Sequence, residues 1–178
     1  MKGLSSEATI LAFGDSLTYG TGASRSSSYP SVLEELSGRR VVNAGIPGEV
    51  SSAGLARLPA VLDEHNPDLM VLIHGGNDML RRQNLRSAAS NLEAMIEVAR
   101  SRDVGVVMVG VPKPGLILSP APFYEEVATR TGTPIDADAI ADVLQYPANK
   151  SDAVHPNADG YRQLAEAVFD LLQDAGAL

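Results

Sequence analysis

The chain has 178 residues, 44% hydrophobic and 20% charged, so it is long and apolar enough to build one full core and is not a disordered tract. Fourteen Lys and Arg against 22 Asp and Glu give a net charge of −8, which excludes a basic footprint for nucleic acid or an anionic membrane. With no cysteine, disulfides, thiolate zinc sites and cysteine nucleophiles are excluded together, and a catalytic imidazole must be His65, His74 or His155.

The first residues lack the apolar stretch of a signal peptide, because Glu7 interrupts them, and no run is long enough to span a bilayer. As written the chain is expected to be cytoplasmic; a periplasmic protein stripped of its leader would look the same. No stable membrane association is expected. No internal repeat or linker divides residues 1–178, so a single domain is expected. The first apolar run, residues 8–13, ends at Gly14-Asp15-Ser16-Leu17-Thr18. A serine two residues beyond a strand, beside a glycine, sits in a tight turn; it is either a turn cap or a nucleophile. Tyr29 to Leu36 follows with Val32, Leu33 and Leu36 at helical spacing. The second strand, around Val41-Val42, leads into Asn43-Ala44-Gly45-Ile46-Pro47-Gly48. Glycines there let a backbone N–H approach a ligand.

Residues 53–65 carry Leu55, Leu58, Val61 and Leu62 at helical spacing and end at His65-Asn66-Pro67, where His65 is expected to be structural. Leu69 to Ile73 is the third strand, followed by His74-Gly75-Gly76-Asn77-Asp78. Asn77 could donate to a developing oxyanion or cap the next turn. His74 could touch substrate or simply pack. Residues 85–100 form the clearest amphipathic helix, and residues 104–111 the fourth strand.

Prolines at 112, 114, 120, 122, 134 and 147 break up the next stretch. It is expected to hold a helix over 123–130, a short fifth strand at 133–135 and a helix over 136–146. Asp152 and His155 then share one short loop before the final helix, expected over 158–172. A turn there can set the carboxylate against one imidazole nitrogen and leave the other free, which is how a general base is oriented. Near-continuous apolar strands alternating with amphipathic helices predict a three-layer α/β/α sandwich on a parallel sheet. Its ligand edge lies beyond the carboxyl ends of the strands.

Four blocks in order carry a resemblance: Gly14-Asp15-Ser16-Leu17, Gly48, Gly75-Gly76-Asn77-Asp78 and Asp152-x-x-His155. Together they resemble the GDSL or SGNH hydrolases. Leu55-Ala56-Arg57-Leu58-Pro59-Ala60 is similar to the acyl-CoA thioesterase I, lysophospholipase and arylesterase branch. The resemblance implies a flavodoxin-like fold of five parallel strands in order 2-1-3-4-5. It implies catalysis by Ser16, Asp152 and His155, and an oxyanion hole of the Ser16 N–H, the Gly48 N–H and the Asn77 amide. Asp15 and Asp78 match supporting positions. Asp15, Gly76, Met79, Leu80, Leu116 and Ile117 are expected at the substrate, the last four lining an acyl pocket.

The implied activity is hydrolysis of short-to-medium acyl esters or thioesters, with no cofactor and no metal. A carbohydrate deacetylase is the alternative, weakened by the absence of Trp. A non-catalytic flavodoxin-like binding module is disfavoured. Tyr19-Gly20-Thr21-Gly22-Ala23-Ser24 lacks the lysine of a phosphate-binding loop.

Overall fold

The structure is a computed structural model and describes residues 1–115 and 118–178. The apolar runs are its strands: β1 (Thr9–Gly14), β2 (Arg40–Gly45), β3 (Leu69–Ile73), β4 (Gly105–Val109) and β5 (Ile135–Asp136). They form one parallel sheet in the order β2-β1-β3-β4-β5. β3 is buried along its whole length and β1 from Ile10 onward, as expected of strands covered on both faces. β2, at the edge, is only partly covered and begins with exposed Arg40. The chain starts at β1, crosses to β2 on one side, then passes back over β1 to β3. Loops leaving β1 and β3 therefore part in opposite directions, and a crevice opens at their carboxyl ends.

Helices α2 (Tyr29–Ser37) and α8 (Ala158–Asp174) cover one face of the sheet; α3 (Ser51–His65), α5 (Leu85–Arg100) and α6 (Pro122–Thr131) pack together on the other. In α5 the buried residues Ala88, Leu92, Met95 and Ala99 recur at three to four positions, one stripe of the helix. Asn84 opens α5 by accepting the Arg86 N–H at 2.9 Å, a side-chain cap for an otherwise orphaned donor. None of these helices, nor any other among the described residues, is long and apolar enough to cross a membrane.

Two expectations shift in the irregular stretch. The fifth strand covers Ile135–Asp136 rather than 133–135. Pro134 has no N–H for the ladder; it contributes only its carbonyl, which accepts from Met108 at 2.9 Å. The helix expected over 136–146 is the shorter α7 (Ala139–Leu144). Asp136 stays in the strand and its Oδ1 accepts the N–H groups of Asp138 and Ala139, so the helix starts after it. Two short helices were not anticipated, α1 (Ser16–Tyr19) and α4 (Gly76–Leu80). Each begins within three residues of a strand end, too short to show periodicity.

Asn157 joins the last helix to the site. Its Oδ1 caps α8 by accepting the Gly160 N–H at 3.1 Å, while its Nδ2 donates to the Ala148 carbonyl at 2.7 Å. Replacing Asn157 with Ala removes both roles. Urea denaturation is expected to show a loss of about 1–2 kcal/mol; a change below roughly 0.5 kcal/mol, the range of ordinary surface substitutions, would mean that this cap holds nothing in place.

Candidate active site

Ser16 is the first residue of α1, and Asp15 is its N-cap, accepting the Leu17 N–H at 3.2 Å. This turn brings the Ser16 hydroxyl to the sheet edge, 3.0 Å from Nε2 of His155. The other ring nitrogen, Nδ1, lies 2.8 Å from Oδ2 of Asp152. A carboxylate can only accept, so Nδ1 carries the proton and Nε2 presents its lone pair to the serine O–H. Ser16 and His155, 139 positions apart in sequence, thus form one hydrogen-bonded chain with Asp152.

The loop carrying the pair is built to hold it. Ser151 and His155 close a small antiparallel turn through the Ser151 N–H and the His155 carbonyl at 3.0 Å. Oδ1 of Asp152 accepts the N–H groups of Val154 and His155 at 2.8 and 2.9 Å. Partial burial pushes the Asp152 carboxyl up, but these donors and the His155 ring outweigh it and hold it below the usual carboxylate range. The Asp152 side chain is 51% exposed and that of His155 18%, so the pair sits at the rim and the serine lies inside.

Two backbone N–H groups, those of Ser16 and Gly48, find no acceptor among the described residues, and both residues line the same cavity as His155. Asn77 lies in α4 beside them. Gly75, with φ of +98°, lets β3 turn sharply into that helix; a side chain there would be strained. The Asn77 amide differs from expectation in one respect. Its Nδ2 donates to Oδ2 of Asp15 at 3.0 Å and to the Glu49 carbonyl at 3.1 Å, which uses both of its hydrogens. In this state the amide is already committed.

Asp15 lines the cavity, and its two carboxylate oxygens accept from the Leu17 N–H and the Asn77 amide, so it also supports the site. Burial raises its carboxyl above the ordinary value. Asp78 is elsewhere: its carboxylate accepts the Ser51 N–H at 2.8 Å and the Ser51 hydroxyl at 2.7 Å, capping α3 from outside that helix. His74 is fully buried and lies outside the cavity lining. His65 sits in the last turn of α3, away from the site.

A profile of the GDSL-like Lipase/Acylhydrolase family matches residues 12–163. The chain belongs to that family. It is 31% identical over 179 residues to Esterase TesA of Pseudomonas aeruginosa, covering 93% of this chain and 88% of that protein. It is 30% identical over 173 residues to Thioesterase 1/protease 1/lysophospholipase L1 of Escherichia coli K12, covering 93% and 83%. A crystal structure of TesA superposes with a TM-score of 0.84 at 30% identity, over 93% of this chain and 98% of the other.

The acylhydrolase cavity has a volume of about 470 Å³. Ser16, Gly48, Asn77 and His155 stand at its polar end. Leu80 from α4, Val111, Pro112 and Pro114 after β4, and Leu118 make one apolar wall; Ile140 and Leu144 of α7 make another. Gly76 and Leu80 are where the sequence placed them. Met79 is a correction: it is 8% exposed, packs into the core and does not line the cavity. Adjacent residues on a helix point about 100° apart, and in α4 Leu80 faces the cavity while Met79 turns into the core. Leu116 and Ile117, also expected here, lie outside the described residues. Ile140 and Leu144 were missed; four residues apart on a helix, they looked like ordinary core. Among the described residues, no group of three His, Asp or Glu side chains could hold a metal ion.

Asp152→Asn keeps an oxygen for the backbone donors but no longer holds the proton on Nδ1. Steady-state kinetics with a nitrophenyl ester is expected to show kcat lower by roughly 10²- to 10⁴-fold with little change in KM. The lowered Asp152 carboxyl also fixes the sign of the acid limb. Its orienting charge is complete above the unfolded value of about 3.9 and is lost as pH falls through the lower folded value. An Asp152-dependent loss beginning well above that unfolded value would contradict this.

Proposed function

We propose that the chain is a serine hydrolase that cleaves carboxylic esters and thioesters of short-to-medium acyl chains through an acyl-enzyme on Ser16. The observation that carries this reading is the Ser16–His155–Asp152 hydrogen-bond chain, at 3.0 and 2.8 Å, in a cavity lined mainly by apolar residues. His155 Nε2 takes the Ser16 proton as Oγ bonds to the acyl carbon. The carbonyl oxygen gathers negative charge, and the N–H groups of Ser16 and Gly48, which have no acceptor among the described residues, supply donors for it. The imidazolium, stabilised by Asp152, then protonates the departing alcohol or thiol. Water attacks the acyl-serine by the same route in reverse, releasing the acid and restoring the Ser16 hydroxyl.

The cavity supports acyl rather than sugar recognition. Among the described residues, its lining holds no Phe, Tyr or Trp on which a sugar ring could stack. Its volume, about 470 Å³, falls in the range of small-molecule sites and accommodates a flexible chain. Both alcohol and thiol leaving groups are in keeping with the names of the relatives, an esterase and a thioesterase/lysophospholipase.

Two experiments test the reading. Wild-type protein and Ser16→Ala are assayed side by side on p-nitrophenyl acetate, butyrate and octanoate. The variant is expected to lose at least about 10³-fold in kcat/KM on every ester, and a near-normal rate would overturn the mechanism. Ile140→Phe narrows the apolar wall, so the octanoate-to-acetate ratio of kcat/KM is expected to fall at least roughly tenfold, as a pocket losing room for several methylenes should. An unchanged ratio would place the acyl chain elsewhere.

A further inference from the structure

His74 takes no part in the chemistry above, yet it is one of three histidines and is completely buried. Its surroundings are made to fit it. Gly54 of α3 lies against the ring: a Cβ there would come within 2.4 Å of Nε2, so only glycine leaves room. The ring leans on Phe13 at the end of β1, with centroids 6.1 Å apart, and its backbone carbonyl accepts the Tyr124 hydroxyl at 2.7 Å.

The two ring nitrogens face the two loops that flank Ser16. Nδ1 accepts the Gly75 N–H at 2.9 Å and is therefore unprotonated. Nε2 then carries the proton and donates it to Oε2 of Glu49 at 3.1 Å. Glu49, with 6% of its side chain exposed, is also gripped by Arg57, whose Nε and Nη2 reach it at 2.8 and 2.7 Å. Burial pushes the Glu49 carboxyl up, but the His74 and Arg57 hydrogen bonds win and hold it below its ordinary value. Arg57 in turn lies over the Phe13 ring at 4.1 Å and donates to the carbonyls of Gly14 and Ala44, at the ends of β1 and β2. The circuit closes at the Glu49 carbonyl, which accepts from the Asn77 amide.

We infer that His74 is a positioning residue that couples the two donor loops of the oxyanion site. One arm fixes the Gly75-Gly76-Asn77 turn, and the other fixes Glu49 and with it the adjoining Gly48 N–H. Arg57 anchors the circuit to the sheet. The inference rests on the ester-hydrolysing reading above, since it assigns the coupling to the donors of that reaction. Donors set wrongly by a fraction of an ångström weaken the transition state more than the bound substrate, so the effect belongs in kcat.

The test uses p-nitrophenyl butyrate with wild type, His74→Leu, Glu49→Gln and the double variant, each checked for folding by circular dichroism and thermal melting. Each single variant is expected to lower kcat by about 10- to 100-fold with KM within about threefold. The double variant is expected to be no worse than the worse single, because both break the same link. His74→Gln, whose amide can donate to Glu49 again, is expected to recover part of the rate lost in His74→Leu. A folded His74→Leu with wild-type kcat would overturn the inference, as would single effects that multiply. If His74→Leu does not fold, Glu49→Gln at the other end of the bond decides in the same way. If wild type itself fails to hydrolyse the ester, the hydrolase reading has failed instead. The coupling is then decided by NMR: the Gly48 backbone and Asn77 side-chain amide resonances must both shift in Glu49→Gln and in His74→Gln, and a shift confined to one loop refutes it.

Discussion

The register of three parallel strands sets where everything else can stand. Gly14 at the end of β1 is level with Gly45 of β2 on one side and Ile73 of β3 on the other. Ser16, Gly48 and Asn77 follow those positions by two, three and four residues. At a reach of roughly 3.3–3.6 Å per residue, three loops leaving from one height bring their residues within about 15 Å of it without any long excursion. The strands cannot slip to relieve a poor fit. β1 and β3 are buried on both faces, and a one-residue shift would turn every side chain to the other layer. The site therefore inherits the rigidity of the sheet while being made entirely of loop and helix-start residues. His155 and its loop are brought to the same edge from the far end of the chain by α8, which Asn157 caps.

A chain carrying a net charge of −8 buries three carboxylates within a few residues of this edge, and each is handled by different physics. Asp78 accepts two donors from Ser51 and stands at the amino end of the 15-residue α3, where the helix dipole favours a negative charge. Glu49 is matched by a full opposite charge, the Arg57 guanidinium, with His74 completing its shell. Asp15 has only the Leu17 N–H and the Asn77 amide as direct partners, and there burial wins and raises its carboxyl. Among the described residues, no buried side-chain nitrogen or oxygen lacks a hydrogen-bond partner. That completeness is what makes the edge stiff, because releasing any one partner strands a buried polar group at a cost of about 1–3 kcal/mol.

The strands, the long helices and the Ser16, Asp152 and His155 positions were legible because each rests on a local signal. Apolar runs ending in glycine mark strand ends, and a carboxylate three residues before a histidine that precedes proline marks a turn. What the sequence hid was what a short segment does with its direction. Whether Met79 or Leu80 faces the cavity depends on the phase of a five-residue helix, which no periodicity can fix. Ile140 and Leu144 line the cavity although they carry the spacing of an ordinary buried stripe, because α7 packs at the mouth of the sheet as well as against α8. For His74 the sequence left substrate contact and packing both open, and the structure buries it outside the cavity lining. Of its two partners, Gly75 is the next residue, while Glu49, 25 residues away, is set by tertiary packing.

The doubly committed Asn77 amide bears on how the oxyanion site works. Of its two acceptors, Asp15 is an acid group and Glu49 offers only a neutral peptide carbonyl. Hydrogen bonds to a charged acceptor are about twice as strong as neutral ones. In the proposed reaction the substrate oxygen is neutral in the ground state, when it competes poorly for the amide, and gains its charge only at the transition state. The N–H directed at the Glu49 carbonyl is then the one with reason to be shared, while the Asp15 contact keeps the amide plane in place. In that reaction Ser16 and Gly48 would supply donors that have no partner among the described residues, and Asn77 would add its own only as charge develops. A donor that strengthens its bond only then contributes to kcat and not to ground-state affinity, which is the condition for rate enhancement rather than tighter binding.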